Sequence, residues 1–488
     1  DASVAGFAPE TACYECLAGR VAANADAESD TAAADGPETA RFAGAIAGRA
    51  AARALSDEGH DIFGSVVEVP HAERTLVVLP GCDCTEEPAS RLSLRSVDRS
   101  VEASLARAER GLDDRVGIVH EVGEAESLPA PYYLARACDT SGFSDARATR
   151  DAAGVAGDWD AAFMKALGEA MERYAAGVYR LDDLVEGPPG AVDGAVWPAA
   201  FVVRSEPDDG VSITWVDGLD LHSGDAVKLP AAFVHYPPAT ERFRPSITTG
   251  LGLGNGGYEA VLSGLYEVLE RDAAVLAWYS TFEPLGLEVD DEGYADLEAR
   301  ARVADLEVTP LLLTQDVDVP VVGVAVHRET WPRLALGTAA DLDADAAARS
   351  ALAEALQNWM ELRGMGPEDA ASANGAIGRY ADFPDDIRSF VSPDATVPAS
   401  SVGPDAVPTG RDELAAVLDR VEDVDLTAYA AATTTRDLRE LGFRAVRVLV
   451  PGAQPLFFDD PYFGDRARGV PSQLGFEADL DRDHHPFP

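Results

Sequence analysis

Three stretches of the chain carry the periodicity of largely buried helices. Apolar residues recur every three to four positions over 159–179, 258–279 and 343–362, and each stretch predicts a long helix with an apolar face. Asp158 stands just before the first and can cap it. A fourth, Ala-rich helical pattern runs over 40–55. Runs of β-branched and aromatic residues predict strands at 200–204, 211–216, 320–326 and 444–450, and a strand pair at 66–69 and 75–79. The stretch 23–38 is rich in Ala, Asp, Glu and Gly and reads as a loop; 85–100 reads as a linker. The Pro-, Asp- and Gly-rich stretch 364–410 reads as a long surface excursion. No internal repeat is evident. The pattern predicts an α+β protein of mixed sheets packed with long helices, in two parts: a small unit over 1–90 and a large one over 91–488.

Composition sharpens this picture. The chain has 488 residues, of which 47% are hydrophobic, enough to bury a large core. No apolar run reaches the roughly 18 residues of a membrane span, and no secretory signal is present, so a cytoplasmic location without a membrane partner is expected. The first residue is Asp1 rather than Met, so the true start is expected upstream. There are 85 acidic residues against 39 basic ones, a net charge of −46, spread over the whole length. Only Lys165 and Lys228 are lysines. Such a surface suits molar salt, where a Debye length of about 3 Å screens self-repulsion, so a halophilic source is expected. Binding of nucleic acid through a basic face is disfavoured.

The five cysteines add a first piece of chemistry. Cys13 and Cys16 form one close pair, Cys82 and Cys84 another, and Cys138 stands alone. In a reducing cytosol two close pairs point to a metal more than to disulfides. Four thiolates make a closed tetrahedral site for a structural zinc ion, with unliganded thiols or disulfides as the alternative.

The second helix is the richest segment. Glu259, Glu267 and Glu270 are expected to share one of its faces, while Val261, Leu262, Leu265, Val268 and Leu269 make it largely buried. Carboxylates crowded on a buried helix repel one another unless a cation sits among them, and magnesium bridging phosphates is a natural neutraliser. The first helix repeats the device with Glu169 and Glu172, again three residues apart. In so acidic a chain this spacing also arises on solvated faces. The glycine-rich Gly252-x-Gly254-x-x-Gly257 lacks the hydrophobic strand a dinucleotide fold needs before it. Neither lysine follows a glycine-rich loop, so a nucleotide here is not held by a P-loop, and no histidine pair has the spacing of catalytic zinc.

Gly168-Glu169-Ala170-Met171-Glu172-Arg173-Tyr174 and the segment from Gly252 to Asp272 resemble, in order and spacing, the two signature segments of the YcaO family. The resemblance covers roughly 105–488 and implies the YcaO-type fold. It implies magnesium ligands at Glu169, Glu172, Glu259, Glu267 and Glu270, and ATP-phosphate contacts at Asn255 and Arg271. The third helix is similar to the family's later nucleotide-contacting helix, which implies Arg349 and Gln357 as further contacts. The family's lysine in the glycine-rich stretch before the first helix is absent from Gly154-Val155-Ala156-Gly157. The tail Pro486-Phe487-Pro488 resembles the proline-rich end of azoline-forming members, which implies a catalytic role for the Pro488 carboxylate beside Arg271. Here His484 replaces the first proline of that pattern. The cysteine-bearing segment resembles the zinc-binding end of the ubiquitin-activating-enzyme-like partner fused to some azoline synthetases.

The resemblance implies an ATP-dependent cyclodehydratase, with cofactors ATP, Mg2+ and a structural Zn2+, that turns Cys, Ser or Thr of a ribosomal peptide into azolines. Its partners are expected to be the peptide substrate, a separate leader-peptide-binding protein and a second copy in a homodimer. Thioamide formation is the nearest rival reading, and a non-catalytic peptide-binding scaffold is the rival from another class.

Overall fold

A computed structural model describes residues 2–9, 11–25, 36–56, 62–69, 72–84, 92–205, 208, 210–372 and 377–487. The N-terminal part is an antiparallel sheet in the order β1-β2-β3, made of β1 (Ala2–Ala5), β2 (Ser65–Val69) and β3 (Ala72–Thr75). Between β1 and β2 come α1 (Tyr14–Ala23) and α2 (Pro37–Ala54). Alanine favours helix and Pro37 suits its first turn, yet no residue of α2 is buried. The second strand expected here falls earlier, at Ala72–Thr75. Leu76–Leu79 leaves the ladder because its backbone serves other groups: Val78 O accepts from Arg20 Nη2 at 3.2 Å, and Leu79 N–H donates to Cys16 Sγ at 3.3 Å. Most of the expected loop and the first part of the expected linker lie outside the described residues. Over 92–100 the chain has no regular structure; Leu92 and Leu94 pack on the core, and the carbonyls of Ser93 and Arg95 press on Gly257 and Gly256.

The remainder alternates strands and helices. β4 (Val119–Glu126), β5 (Tyr132–Ala137) and β6 (Asp151–Val155) form an antiparallel sheet, and α3 (Trp159–Gly177) follows, capped by Asp158 through the Ala161 N–H. Then come β7 (Val185–Gly187), β8 (Ile213–Asp220), β9 (Ala226–Pro230), β10 (Leu251–Gly254) and α4 (Gly257–Trp278). β11 (Leu285–Glu288), β12 (Glu307–Leu312), β13 (Val321–His327) and β14 (Leu334–Ala340) lead to α5 (Ala344–Ala370). β15 (Thr396–Pro398), β16 (Tyr429–Ala432), the short α6 (Arg436–Leu441) and β17 (Arg444–Leu449) complete the elements that matter below. One sheet runs β10-β17-β16-β8-β7 with β9 also on β8; the other runs β14-β13-β12-β11-β15.

Two expectations change. Residues 200–204 form no strand: Phe201 and Val202 are buried as single anchors beside a short turn at Pro198–Ala200. The stretch 364–410 is not a mere surface excursion, because Tyr380, Ile387 and Phe390 enter the core and β15 extends a sheet in parallel with β11. Tyr380, Ile387 and Phe390 sit in helical turns of only four and six residues, too short for periodicity to reveal them. Among the described residues no helix is long and apolar enough to cross a membrane.

Each long helix lies against the strand before it. A Cβ on Gly154 of β6 would stand 2.2 Å from Ala166 N of α3, and one on Gly252 of β10 would stand 2.1 Å from Ala260 O of α4, so only glycine permits these approaches. α5 crosses β14 in the same way at Gly337.

Candidate functional site

This repeated strand–helix packing delivers glutamates to a common place. Glu169 Oε2 of α3 accepts the Ala153 N–H of β6 at 2.7 Å. Glu267 Oε2 of α4 accepts the Gly250 N–H, just before β10, at 2.9 Å. Glu354 Oε2 of α5 accepts the Thr338 N–H of β14 at 2.6 Å. In each case the strand that allows the close approach also orients the carboxylate. Glu270 is fixed by the Thr338 hydroxyl, which donates to it at 2.6 Å.

Glu169, Glu172, Glu267 and Glu270 line a cavity of about 340 Å³, with Arg173 and Ser263. Its electrostatics are those of a site short of positive charge. Burial, reinforced by Glu267 and Glu169, pushes the Glu172 carboxyl up to about 8. Burial pushes Glu270 up to about 7, against the pull of Arg271. Glu169 and Glu354 are raised for the same first reason. Arg271 reaches Glu270 at 3.3 Å and Glu354 at 3.5 Å; burial lowers it, but these carboxylates outweigh burial and hold it firmly protonated. Arg173 pairs with Glu169 at 2.5 Å.

The other residues singled out in the sequence fall elsewhere. Glu259 does not join the cavity; it binds the Asn255 N–H at 2.9 Å at the start of α4. Asn255 Oδ1 is held by Arg99 at 2.7 Å and Ser104 at 3.0 Å. Arg349 pairs with Asp291 at 2.5 Å, and Gln357 donates to Glu361 at 3.1 Å. Glu354 and Thr338 escaped the sequence reading, since a lone glutamate in an Ala-rich helix carries no motif.

Pro488 lies outside the described residues. Up to Phe487 the tail is not frayed: His485, Pro486 and Phe487 are buried, Trp278 Nε1 donates to Asp483 O at 2.8 Å, and Tyr380 OH donates to His484 O at 2.7 Å. His485 donates through Nε2 to Phe457 O at 2.7 Å. Burial drives its imidazole down to about 3, with neighbouring His484 and Arg271 adding to the effect. A neutral, hydrogen-bonded His485 is a structural group.

The four cysteines of the N-terminal part converge. Their sulfurs all lie within 4.8 Å of one another, with Cys13–Cys16 at 3.8 Å and Cys13–Cys82 and Cys16–Cys84 at 3.6 Å. A tetrahedral ion with metal–sulfur bonds of about 2.3 Å separates its sulfurs by about 3.8 Å. The donor set and spacing fit zinc. Cys138 is buried apart from them. The cavity glutamates are a different donor set: hard oxygens, spread around a space, suited to magnesium that takes its other ligands from phosphate and water.

The family described as YcaO cyclodehydratase, ATP- and Mg2+-binding, matches residues 153–454. The chain belongs to the YcaO family. An uncharacterized protein of Methanothermobacter thermautotrophicus is 29% identical over 324 residues, which span 62% of this chain and 81% of that protein. The structure of YcaO from Methanopyrus kandleri bound with AMPPCP and Mg2+ is 27% identical, with a TM-score of 0.56 over 71% of this chain and 89% of that one. A heterocyclase in complex with substrate and cofactor shares the fold at a TM-score of 0.78 and 20% identity, covering 96% of this chain and 72% of its own.

Proposed function

We propose that the chain is an ATP- and magnesium-dependent enzyme that activates backbone amides of a peptide and cyclodehydrates Cys, Ser or Thr to azolines. The observation that carries the reading is the cavity where Glu169, Glu172, Glu267 and Glu270 meet beside Arg271, with burial raising the carboxyls of Glu169, Glu172 and Glu270.

The side chain of the substrate Cys, Ser or Thr adds to the preceding carbonyl carbon. The resulting oxyanion attacks the γ-phosphorus of ATP and ADP leaves; phosphate then departs from carbon as the ring C=N bond forms. Phosphorylation turns a poor leaving oxygen into a good one. Arg271, fixed by Glu270 and Glu354, faces the charge that develops on the transferred phosphoryl group. The cavity glutamates would hold magnesium, which would supply further neutralisation of that charge. Asn255, oriented by Glu259 through its N–H, and Arg349 and Gln357 are the remaining phosphate contacts of this reading, and the Pro488 carboxylate the base that takes the proton of the attacking group. Residues 1–90, with zinc on Cys13, Cys16, Cys82 and Cys84, form the structural module, and 91–488 the catalytic domain.

The likeness of the tail Pro486-Phe487-Pro488 to the end of azoline-forming members, with the tail anchored as far as Phe487, supports azoline formation over the thioamide reading. Incubation with ATP, Mg2+ and candidate peptides decides. Loss of one water per modified residue is the expected mass change. Replacement of oxygen by sulfur would assign the thioamide chemistry, and peptide-independent silence of ATP hydrolysis would assign a scaffold.

A further inference from the structure

The cysteine cluster and the carboxylate cavity stand in different parts of the chain, and buried groups join them. Cys16 Sγ accepts the Leu79 N–H, and the carbonyl before it, Val78 O, accepts from Arg20 at 3.2 Å. Arg20 lies one turn beyond Cys16 on α1 and its side chain is fully buried. Its guanidinium pairs with the equally buried Asp437 of α6 and donates to Tyr174 OH at 3.3 Å. Tyr174 OH donates in turn to Asp437 at 2.7 Å. Tyr174 belongs to α3, two residues beyond Glu172. Apolar contacts run alongside: Ala23 and Val77 share one core with Met171, Tyr174, Leu438 and Leu441.

Such a junction is sensitive to its parts. A buried guanidinium and carboxylate tolerate a dry site only while both are in place, since either one alone is an uncompensated charge. The cysteine cluster fixes α1 and the Val78–Leu79 segment, and these two aim Arg20. Release of the sulfurs frees both. Asp437 and Tyr174 then need new partners, and α3 is the element that must move to find them.

We infer that Arg20, Asp437 and Tyr174 are positioning residues: a clamp through which the metal-loaded cysteine cluster holds α3, and with it Glu169 and Glu172, in register at the nucleotide cavity. The functional consequence rests on the ATP reading above. The structural consequence, that the order of α3 depends on the state of the cysteine cluster, does not.

The test compares the full chain loaded with zinc and stripped of it, with zinc content measured in both. Two quantities are followed after magnesium is restored: calorimetric binding of a non-hydrolysable ATP analogue, and hydrogen exchange over Leu167 to Tyr174. Stripping should weaken the analogue by about tenfold or more and speed exchange in α3, while far-UV circular dichroism keeps the long helices. Tyr174→Phe removes only the bridging hydroxyl and should shrink both responses. Arg20→Lys, which keeps the charge, should restore part of what Arg20→Met loses. Unchanged exchange in α3, with analogue affinity within about twofold on stripping, overturns the clamp. A chain that binds no nucleotide in either state overturns the ATP reading instead, and the exchange data still decide the clamp.

Discussion

In the proposed reading the cysteine cluster and the carboxylate cavity each hold a cation, on opposite plans. In the first, four soft ligands from two short segments converge within 4.8 Å and leave no position open. In the second, hard ligands from α3 and α4 stand around about 340 Å³ of space, held apart by backbone N–H groups of separate strands. A site whose ligands converge is completed by the chain itself and serves the fold. A site whose ligands stand apart is completed by what enters it, here a magnesium–nucleotide complex in the proposed reading.

The largest expected effect is at the open site. Glu267→Gln keeps an acceptor for the Gly250 N–H but removes the charge, and Glu270→Gln does the same for the Thr338 hydroxyl. Either should cut magnesium-dependent ATP turnover by about a thousandfold with the fold intact. Turnover near the wild-type rate would reduce the glutamates to surface charge. Next comes the tail: deletion of Pro486 to Pro488 should lower peptide cyclisation by about a hundredfold while ATP still binds, because the phosphate contacts lie on other elements.

The cavity should also be visible in the pH dependence of stability. Glu172 and Glu270 sit at about 8 and about 7, above the ordinary carboxylate value of 4.5. A raised folded value means a stabilisation fully present below about pH 4.5 and lost as pH rises through 7 and 8. Without divalent cations the Tm should therefore fall across that window, by an amount equivalent to a few kcal/mol at most. Magnesium should flatten the slope, and a slope indifferent to magnesium would place the ion elsewhere. At the closed site, one zinc ion should copurify per chain; freely titratable thiols and no metal would end that assignment. The smallest effect is expected at Glu259→Gln. Its carboxylate serves Asn255 outside the cavity, so turnover should change by no more than about tenfold. A loss as large as that at Glu267 would show that the nucleotide-bound site reaches the start of α4.

What the sequence determined by itself is what local periodicity encodes. Apolar spacing located α3 and α4 to within two residues and the start of α5 to within one, though α5 runs eight residues past its expected end, because a buried helical face repeats every 3.6 residues whatever it packs against. The glutamate pairs three apart and the two close cysteine pairs were legible for the same reason: neighbours in sequence are neighbours on one element. Glu259 marks where that logic ends. Eight residues turn an α-helix by about 80° past two full turns, and whether such an offset still shares a site depends on what covers the face. Only the tertiary structure decided that Asn255 takes Glu259, that Glu354 and Thr338 complete the surroundings of Arg271, and that Arg20 meets Asp437. Those partners lie from 4 to 417 residues apart, with no fixed spacing to announce them, and burial, which sets their charge states, is a property of the assembled core rather than of any segment.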